Sequence, residues 1–304
     1  MTSTPLTAAT LRAALDAQTR HALQCGALKP IETVLTHLDE GGVRFAVRQV
    51  SSLARKEMAR RTEVSQGNVP AAPRRNPFLP CEDDLCVGAL TPTHLALLNK
   101  YNVIDDHLLI VTRRFVPQEA LLDRDDFAAL LVALRGFDAL GFYNGGETAG
   151  ASQPHKHLQA VPLPLDARGP AVPMEVLWQS AQMGNGLARV PNLPFAHAFA
   201  ALDLLQGSAD DAARDAWQTY RALLDAVGIG AIDVDGLAHQ RAPYNLLVTR
   251  RWMLMVPRAQ ERVEGISINA LGFAGSLFVR DAQQCDTLAQ IGPMTALARA
   301  ASAR

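Results

Sequence analysis

The heptapeptide Leu109-Ile-Val-Thr-Arg-Arg-Phe115 returns 137 positions later as Leu246-Leu-Val-Thr-Arg-Arg-Trp252. The leading leucine and four further positions are identical, and the other changes are conservative. Each segment is a short apolar run with the length of a buried strand. A copied unit of this kind implies two halves packed as a pseudo-dimer, and the 304-residue length allows halves of about 150 residues. The competing reading is that buried strands ending in arginine pairs recur by chance.

Local patterns fill in the elements around these segments. Residues 7–24 carry apolar positions at helical spacing and stop at Gly26. Residues 43–50 alternate as a strand does, and 60–80 are rich in Arg, Pro, Gly and Asn, as a loop is. His107–Thr112 predicts a buried strand. Asp123–Gly141 predicts a helix with an Asp cap, an acidic first turn and a Gly stop. A Gly-rich turn over 143–150, a strand over 154–162 and a Pro/Gly-containing connection over 162–173 follow. Ser208 caps a further helix with Asp210 and Asp211 in its first turn and Gly228 just past its end.

Charge and cysteine usage narrow the function classes. A formal net charge of -1 gives no global field toward nucleic acid or a membrane surface, so an anion site must be built from local groups. Cysteines 25, 81, 86 and 285 form neither a CxxC pair nor a disulfide framework, which reads as buried or inert thiols in a reducing cytosol. The first residues lack a basic stretch followed by an apolar core, and no run of about 18 apolar residues occurs. The expected location is the cytoplasm.

The chemistry concentrates in His155-Lys156-His157-Leu158-Gln159. On a strand, His155, His157 and Gln159 share one face, about 6–7 Å apart in succession, while Lys156, Leu158 and Ala160 take the other. A neutral imidazole whose N–H is held by a backbone carbonyl aims its second nitrogen as a nucleophile. Such a nitrogen can displace polyphosphate from an α-phosphorus and split a difficult transfer into two easier ones. The preceding Gly145-Gly-Glu-Thr-Ala-Gly150-Ala-Ser-Gln153 admits close backbone approach and offers N–H and side-chain donors for phosphate oxygens. A metal site on the two histidines is the alternative, but the nearest acidic residues, Glu147 and Asp166, have no ligand spacing. A structural histidine pair is a third.

Gly150-Ala-Ser-Gln-Pro-His-Lys-His-Leu-Gln159 resembles the signature of the diadenosine tetraphosphate phosphorylases, or ATP adenylyltransferases, of the histidine-triad superfamily. This superfamily also holds galactose-1-phosphate uridylyltransferase. The resemblance extends to Leu98–Tyr101, His107–Phe115, Tyr244–Trp252 and Ile268–Gly275. It implies an α+β fold of two histidine-triad-like halves, 1–165 and 166–304, each an antiparallel sheet with flanking helices, acting as one catalytic unit.

The resemblance also implies roles. His157 is the nucleophile, His155 orients it or its surroundings, and Gln159 stands where hydrolytic relatives carry a third histidine. An amide holds phosphoryl oxygens but cannot act as a general base, which favours transfer over hydrolysis. Substrate contacts are implied for Asn99, Lys100, Asn144, Gly150, Ala151, Ser152, Gln153, Asn269 and Gly272. Lys56 falls where the family places a substrate lysine, with Arg55 as its rival. Surface or strand-breaking roles compete at Asn99, Lys100 and Gly272, and ordinary core or edge positions fit His94 and His107. Arg113, Arg114, Arg250 and Arg251 read either as polyphosphate contacts or as solvated strand ends.

The implied reaction is phosphorolysis of diadenosine tetraphosphate to ATP and ADP, and its reverse. Nucleotides and phosphate are the expected partners, without nucleic acid or membrane, and a monomer is compatible. Mg2+ or another divalent ion is expected on the polyphosphate rather than in a protein cage. Uridylyl transfer between sugar phosphates, hydrolysis to ATP and AMP, and a non-catalytic nucleotide sensor are the rivals. Lys156 argues against the first, because those relatives often carry proline between the histidines.

Overall fold

The computed structural model describes residues 4–50, 76–184 and 186–303. Lys56 and its rival Arg55 lie outside the described residues. Helix α1 (Ala8–Gln24) starts where the Thr7 N–H donates to Thr10 Oγ1, and it buries Leu11 and Leu15. Strands β1 (Thr33–Glu40) and β2 (Val43–Val50) form a hairpin across Gly41 and Gly42, both at positive φ.

The rest of the first half holds β3 (Cys86–Ala89), β4 (His94–Leu98), β5 (Leu108–Thr112), α2 (Arg124–Gly136), β6 (Ala139–Gly145) and β7 (His157–Pro162). Beyond it come β8 (Gln182–Gly184), β9 (Leu187–Arg189), β10 (Ala198–Ala201) and α3 (Ala209–Ala226). A ribbon of β11 (Ala231–Val234) and β12 (Leu237–Gln240) precedes β13 (Tyr244–Val248) and β14 (Trp252–Pro257). The chain closes with β15 (Arg262–Val263), β16 (Ile266–Ser267), α4 (Ala270–Phe273), β17 (Ser276–Val279), α5 (Ala282–Ile291) and α6 (Pro293–Ala300).

Ten strands make one antiparallel sheet in the order β3-β4-β5-β7-β6-β13-β14-β10-β9-β8. Five come from each half, and the halves meet where Gly141–Gly145 pairs with Tyr244–Val248. The α+β architecture of two joined halves is therefore present; in a separate three-stranded sheet, β1-β2-β17, β17 runs parallel to β2. The two similar heptapeptides sit in β5 and β13, third from one edge and fifth from the other. They share a strand-to-turn device without being mates across the sheet.

Each face of the sheet covers a separate core. Leu158 and Ala160 of β7, with Tyr143 of β6, point toward α1, α2 and α3. Val161, with Leu140 and Phe142 of β6, points toward β2 and the segments after Ile266. Strand periodicity alone accounts for that division.

Three expected boundaries shift. The helix expected to Gly141 ends at Gly136, and Gly141 lies inside β6, where a Cβ would come within 2.7 Å of Leu130 Cδ1. Gly141 thus lets α2 lie against the sheet rather than stopping the helix. The turn expected from Tyr143 begins only at Gly146, because β6 continues through Gly145. Strand β7 begins at His157, and His155 precedes it, joined to Pro117 by an isolated bridge outside the sheet. The cysteines are not buried: Cys25 is exposed, the other three are half-buried, and all four are free. No helix among the described residues is long and apolar enough to cross a membrane.

Candidate active site

A cavity of about 920 Å³ opens between the first half and the segment 262–284 of the second. That is large even among small-molecule sites. Of the expected site residues, His157, Gln159, Asn99, Lys100, Asn144, Gly150, Ser152, Gln153 and Asn269 line it. His155, Ala151 and Gly272 do not.

The two histidines differ in what their nitrogens are doing. His155 is saturated: Nδ1 accepts from Asn76 Nδ2 at 2.9 Å, and Nε2–H faces the carbonyls of Thr112 (3.0 Å) and Arg114 (3.1 Å). The Asn76 donor is fixed because its Oδ1 already accepts from the Phe78 N–H. His157 donates Nδ1–H to the His155 carbonyl at 2.8 Å, and its ring borders the cavity with Nε2 as the remaining nitrogen. Burial drives the His157 pKa down to about 4, so the ring is neutral at neutral pH and Nε2 carries a lone pair. Phe78 caps both rings, with centroids 5.7 Å from His155 and 5.2 Å from His157.

The backbone of His157 is held as firmly as its ring. Its N–H donates to Gln118 Oε1 at 2.9 Å, and Gln118 Nε2 donates to the Asn144 carbonyl on β6. Gln118 is almost wholly buried. Nothing in the sequence pattern sets it apart, and it was not among the expected residues.

A relay orients Gln159. Asn99 Oδ1 accepts from the Tyr101 N–H, so Asn99 Nδ2 is the group facing His107 Nδ1 at 3.2 Å. His107 Nδ1 must then accept, which leaves Nε2–H to donate to Gln159 Oε1 at 2.9 Å. Gln159 is left with its amide N–H groups for the cavity that it lines beside His157. Burial lowers the His107 pKa to about 4, which keeps this tautomer neutral. His107 is therefore part of the site, not an ordinary core or edge histidine. Its place at the start of β5, opposite the strand of the HxHxQ run, is the signal that sequence reading lacked.

The loop over 146–153 takes its path from glycines and is locked from the second half. Gly146 and Gly150 have φ of 89° and 93°. A Cβ on Gly150 would lie 2.8 Å from Asn269 Cβ, so only glycine lets the segment from the second half close over this turn. Asn269 caps α4 through Oδ1 to the Leu271 N–H. Ala151 serves the turn itself, donating its N–H to the Gly146 carbonyl. Gly272 is a packing residue, since its Cβ would press on Ile268, Leu277 and Leu297.

Buried Arg258 holds the other side of the loop. It donates to Asn245 Oδ1 and to the carbonyls of Ala149, Gln260 and Ala300. Asn245 Nδ2 in turn donates to Asn144 Oδ1 at 2.8 Å and to the Ala149 carbonyl. Asn144 Oδ1 also accepts from the Ala270 N–H, so its amide nitrogen is what it can offer a ligand. Lys100 reaches both oxygens of Glu82 at 2.8 and 2.7 Å on the cavity rim. None of Arg113, Arg114, Arg250 and Arg251 lines the cavity; Arg250 donates to the Leu134 carbonyl and Arg251 pairs with Glu175.

Behind the site, Lys156 points away from the cavity and ends on Asp126 Oδ2 (2.7 Å) and the Leu121 carbonyl (3.0 Å). His94 Nε2 meets Asp126 Oδ1 at 3.0 Å. Burial pushes the Asp126 pKa up, but the hydrogen bonds and charges of His94 and Lys156 outweigh it and keep the carboxylate ionised.

Two family models divide the chain. The Ap4A phosphorylase N-terminal domain matches residues 1–180, and the ATP adenylyltransferase C-terminal domain matches residues 191–303. Diadenosine 5',5'''-P1,P4-tetraphosphate phosphorylase 2 of Saccharomyces cerevisiae is 26% identical over 216 residues, and the match spans 64% of each chain. Protein APA1 of the same yeast is 25% identical over 289 residues, covering 86% of this chain and 84% of that one. The crystal structure of yeast Ap4A phosphorylase Apa2 in complex with Ap4A superposes with a TM-score of 0.75 at 22% identity, covering 97% of this chain and 98% of the other. With both models accounting for nearly its whole length, the chain belongs to the Ap4A phosphorylase and ATP adenylyltransferase family.

Proposed function

We propose that this chain cleaves diadenosine tetraphosphate with phosphate to give ATP and ADP, reversibly, through an adenylyl group carried on His157 Nε2. The observation that carries the reading is the state of His157: neutral, its Nδ1–H on the His155 carbonyl, its ring bordering the cavity. Nε2 attacks the α-phosphorus in line, the P–O bond to the leaving nucleotide breaks, and a P–N bond forms. A phosphate oxygen then attacks the same phosphorus, and the P–N bond returns its electron pair to Nε2. The Gln159 amide and the Ser152–Gln153 segment supply donors to the phosphoryl oxygens as charge builds on them.

Residues 1–165 and 166–304 act here as one catalytic unit, since Asn269 of the second closes on Gly150 of the first. Both halves of the site belong to one chain, so a monomer suffices. Among the described residues, Glu82 is the carboxylate bordering the cavity, and it is paired with Lys100. A divalent ion accompanying the substrate would be held by polyphosphate oxygens and water. Four free thiols suit a reducing cytoplasm.

Product analysis from diadenosine tetraphosphate, with and without phosphate, tests the reading. ATP and ADP formed only with phosphate are expected. AMP as a product, or turnover indifferent to phosphate, contradicts it.

A further inference from the structure

Among the described residues, one group combines three metal-ligating side chains within 4.8 Å of one another: His21, Cys25 and Asp84. His21 and Cys25 stand four residues apart at the end of α1, so they project from adjacent turns on one side of the helix. Asp84 comes from the single turn Asp83–Leu85 that precedes β3. The two pieces are already fastened together. Gln18 Nε2 donates to the carbonyls of Asp83 and Asp84, and His21 Nε2 meets Asp84 Oδ1 at 2.7 Å.

We propose that His21, Cys25 and Asp84 form a site for a thiophilic divalent transition ion of the Zn2+ class, with water as the fourth ligand. Imidazole nitrogen, thiolate sulfur and carboxylate oxygen are the donors that Zn2+ accepts at about 2.0–2.3 Å, with tetrahedral ligand separations of about 3.4–3.8 Å. Reaching that spacing requires His21 and Asp84 to part by less than about 1 Å and Cys25 to move in by a similar amount. All three residues are exposed, and the adjustment exchanges the His21–Asp84 hydrogen bond and the Cys25 Sγ–H contact with the Ala22 carbonyl (3.6 Å) for bonds to the ion. The field also favours a cation there: the carbonyl end of α1 faces the site, and Asp83 adds a second carboxylate beside Asp84.

On binding, the Cys25 thiol gives its proton to solvent. His21 gives up the Nε2–H that Asp84 Oδ1 accepts in the empty site and keeps its remaining proton on Nδ1, so that Nε2 can donate its lone pair to the ion. A thiolate in the set selects Zn2+ or Co2+ over Mg2+ and Ca2+. An ion held here ties α1 to the segment containing Glu82 and Leu85, which border the nucleotide cavity. None of the three ligands itself borders that cavity.

Titration of the full chain with Co2+ tests the site, because a thiolate ligand gives a sulfur-to-cobalt charge-transfer band and a tetrahedral set gives intense visible bands. One Co2+ per chain is expected, displaced by Zn2+ and unaffected by about a hundredfold excess of Mg2+. Cys25→Ser should abolish the charge-transfer band, and His21→Ala or Asp84→Asn should weaken binding by about tenfold or more. The double variant Cys81→Ser/Cys86→Ser should keep the band, which separates the site from that hydrogen-bonded thiol pair. Absence of the band in the unmodified protein, its survival in Cys25→Ser, or affinity unchanged in His21→Ala and Asp84→Asn would overturn the proposal.

Discussion

On the helix side of the sheet, Lys156, immediately before β7, ends on Asp126 and the Leu121 carbonyl, with His94 on the second carboxylate oxygen. On the opposite face, His157 and Gln159 line a cavity and carry no formal charge. The charged groups on the first side are buried and paired with one another, which fits them to hold the strand in place. The second leaves one imidazole nitrogen and one amide nitrogen for a ligand, because His155 and His107 have taken the others. Adjacent residues at the start of β7 thus divide structure from chemistry, and the division follows from which hydrogen-bonding groups remain unspent.

The largest expected effect is on the cavity face. His157→Ala removes the nucleophile, and turnover should fall by about 10⁵-fold in a steady-state assay of diadenosine tetraphosphate cleavage, with melting little changed. Gln159→Ala removes a donor aimed at the phosphoryl oxygens and should lower kcat by roughly 10²- to 10³-fold. The other face should answer in the opposite currency. Lys156→Met leaves a buried carboxylate without its cation and should cost about 3–5 kcal/mol in denaturant unfolding, while kcat per folded molecule stays within about tenfold. Pairing it with Asp126→Asn should recover part of that stability.

The smallest effect is a displaced pH limb. Burial disfavours the His157 imidazolium, so the nucleophile stays competent as pH falls until about 4, not the ordinary 6.5. The acid limb of kcat/KM should therefore lie near pH 4; a limb near 6.5 would place a solvated histidine in the role. The same shift has a stability consequence. The unfolded chain takes up this proton before the folded one does, so the contribution of a neutral His157 is present above about 6.5 and is lost as pH falls toward 4.

Much of the cavity face was legible in the sequence because it is local. The period of two places His157 and Gln159 together, and the glycine turn precedes them by a few residues. The groups that make the site work come from afar: Gln118, Asn76 and Phe78 on loops, His107 just before β5, and Asn245 and Arg258 from the second half. Their contacts depend on strand order and register, which a single chain does not display. Asp126 is the clearest case. In the sequence it is one of several acids in a helix's first turn, and only the placement of α2 over β7 turns it into the buried partner of Lys156. The likeness between the heptapeptides in β5 and β13 pointed to two halves, yet it could not say that the joining strands would be β6 and β13. The helix expected over 123–141 exceeds the observed α2 because Gly141, a glycine needed for helix-on-sheet contact, has the same signature as a helix stop.

The central claim is that His157 Nε2 carries the adenylyl group, and trapping that group tests it most directly. The protein is mixed with ADP labelled in its adenylyl moiety, without ATP or added phosphate, then quenched and digested. Label on a single peptide at His157, stable to base and labile to acid as a phosphoramidate is, and released as nucleotide when phosphate is added, is the expected result. No label on the unmodified protein, or label that persists in His157→Ala, would contradict the account.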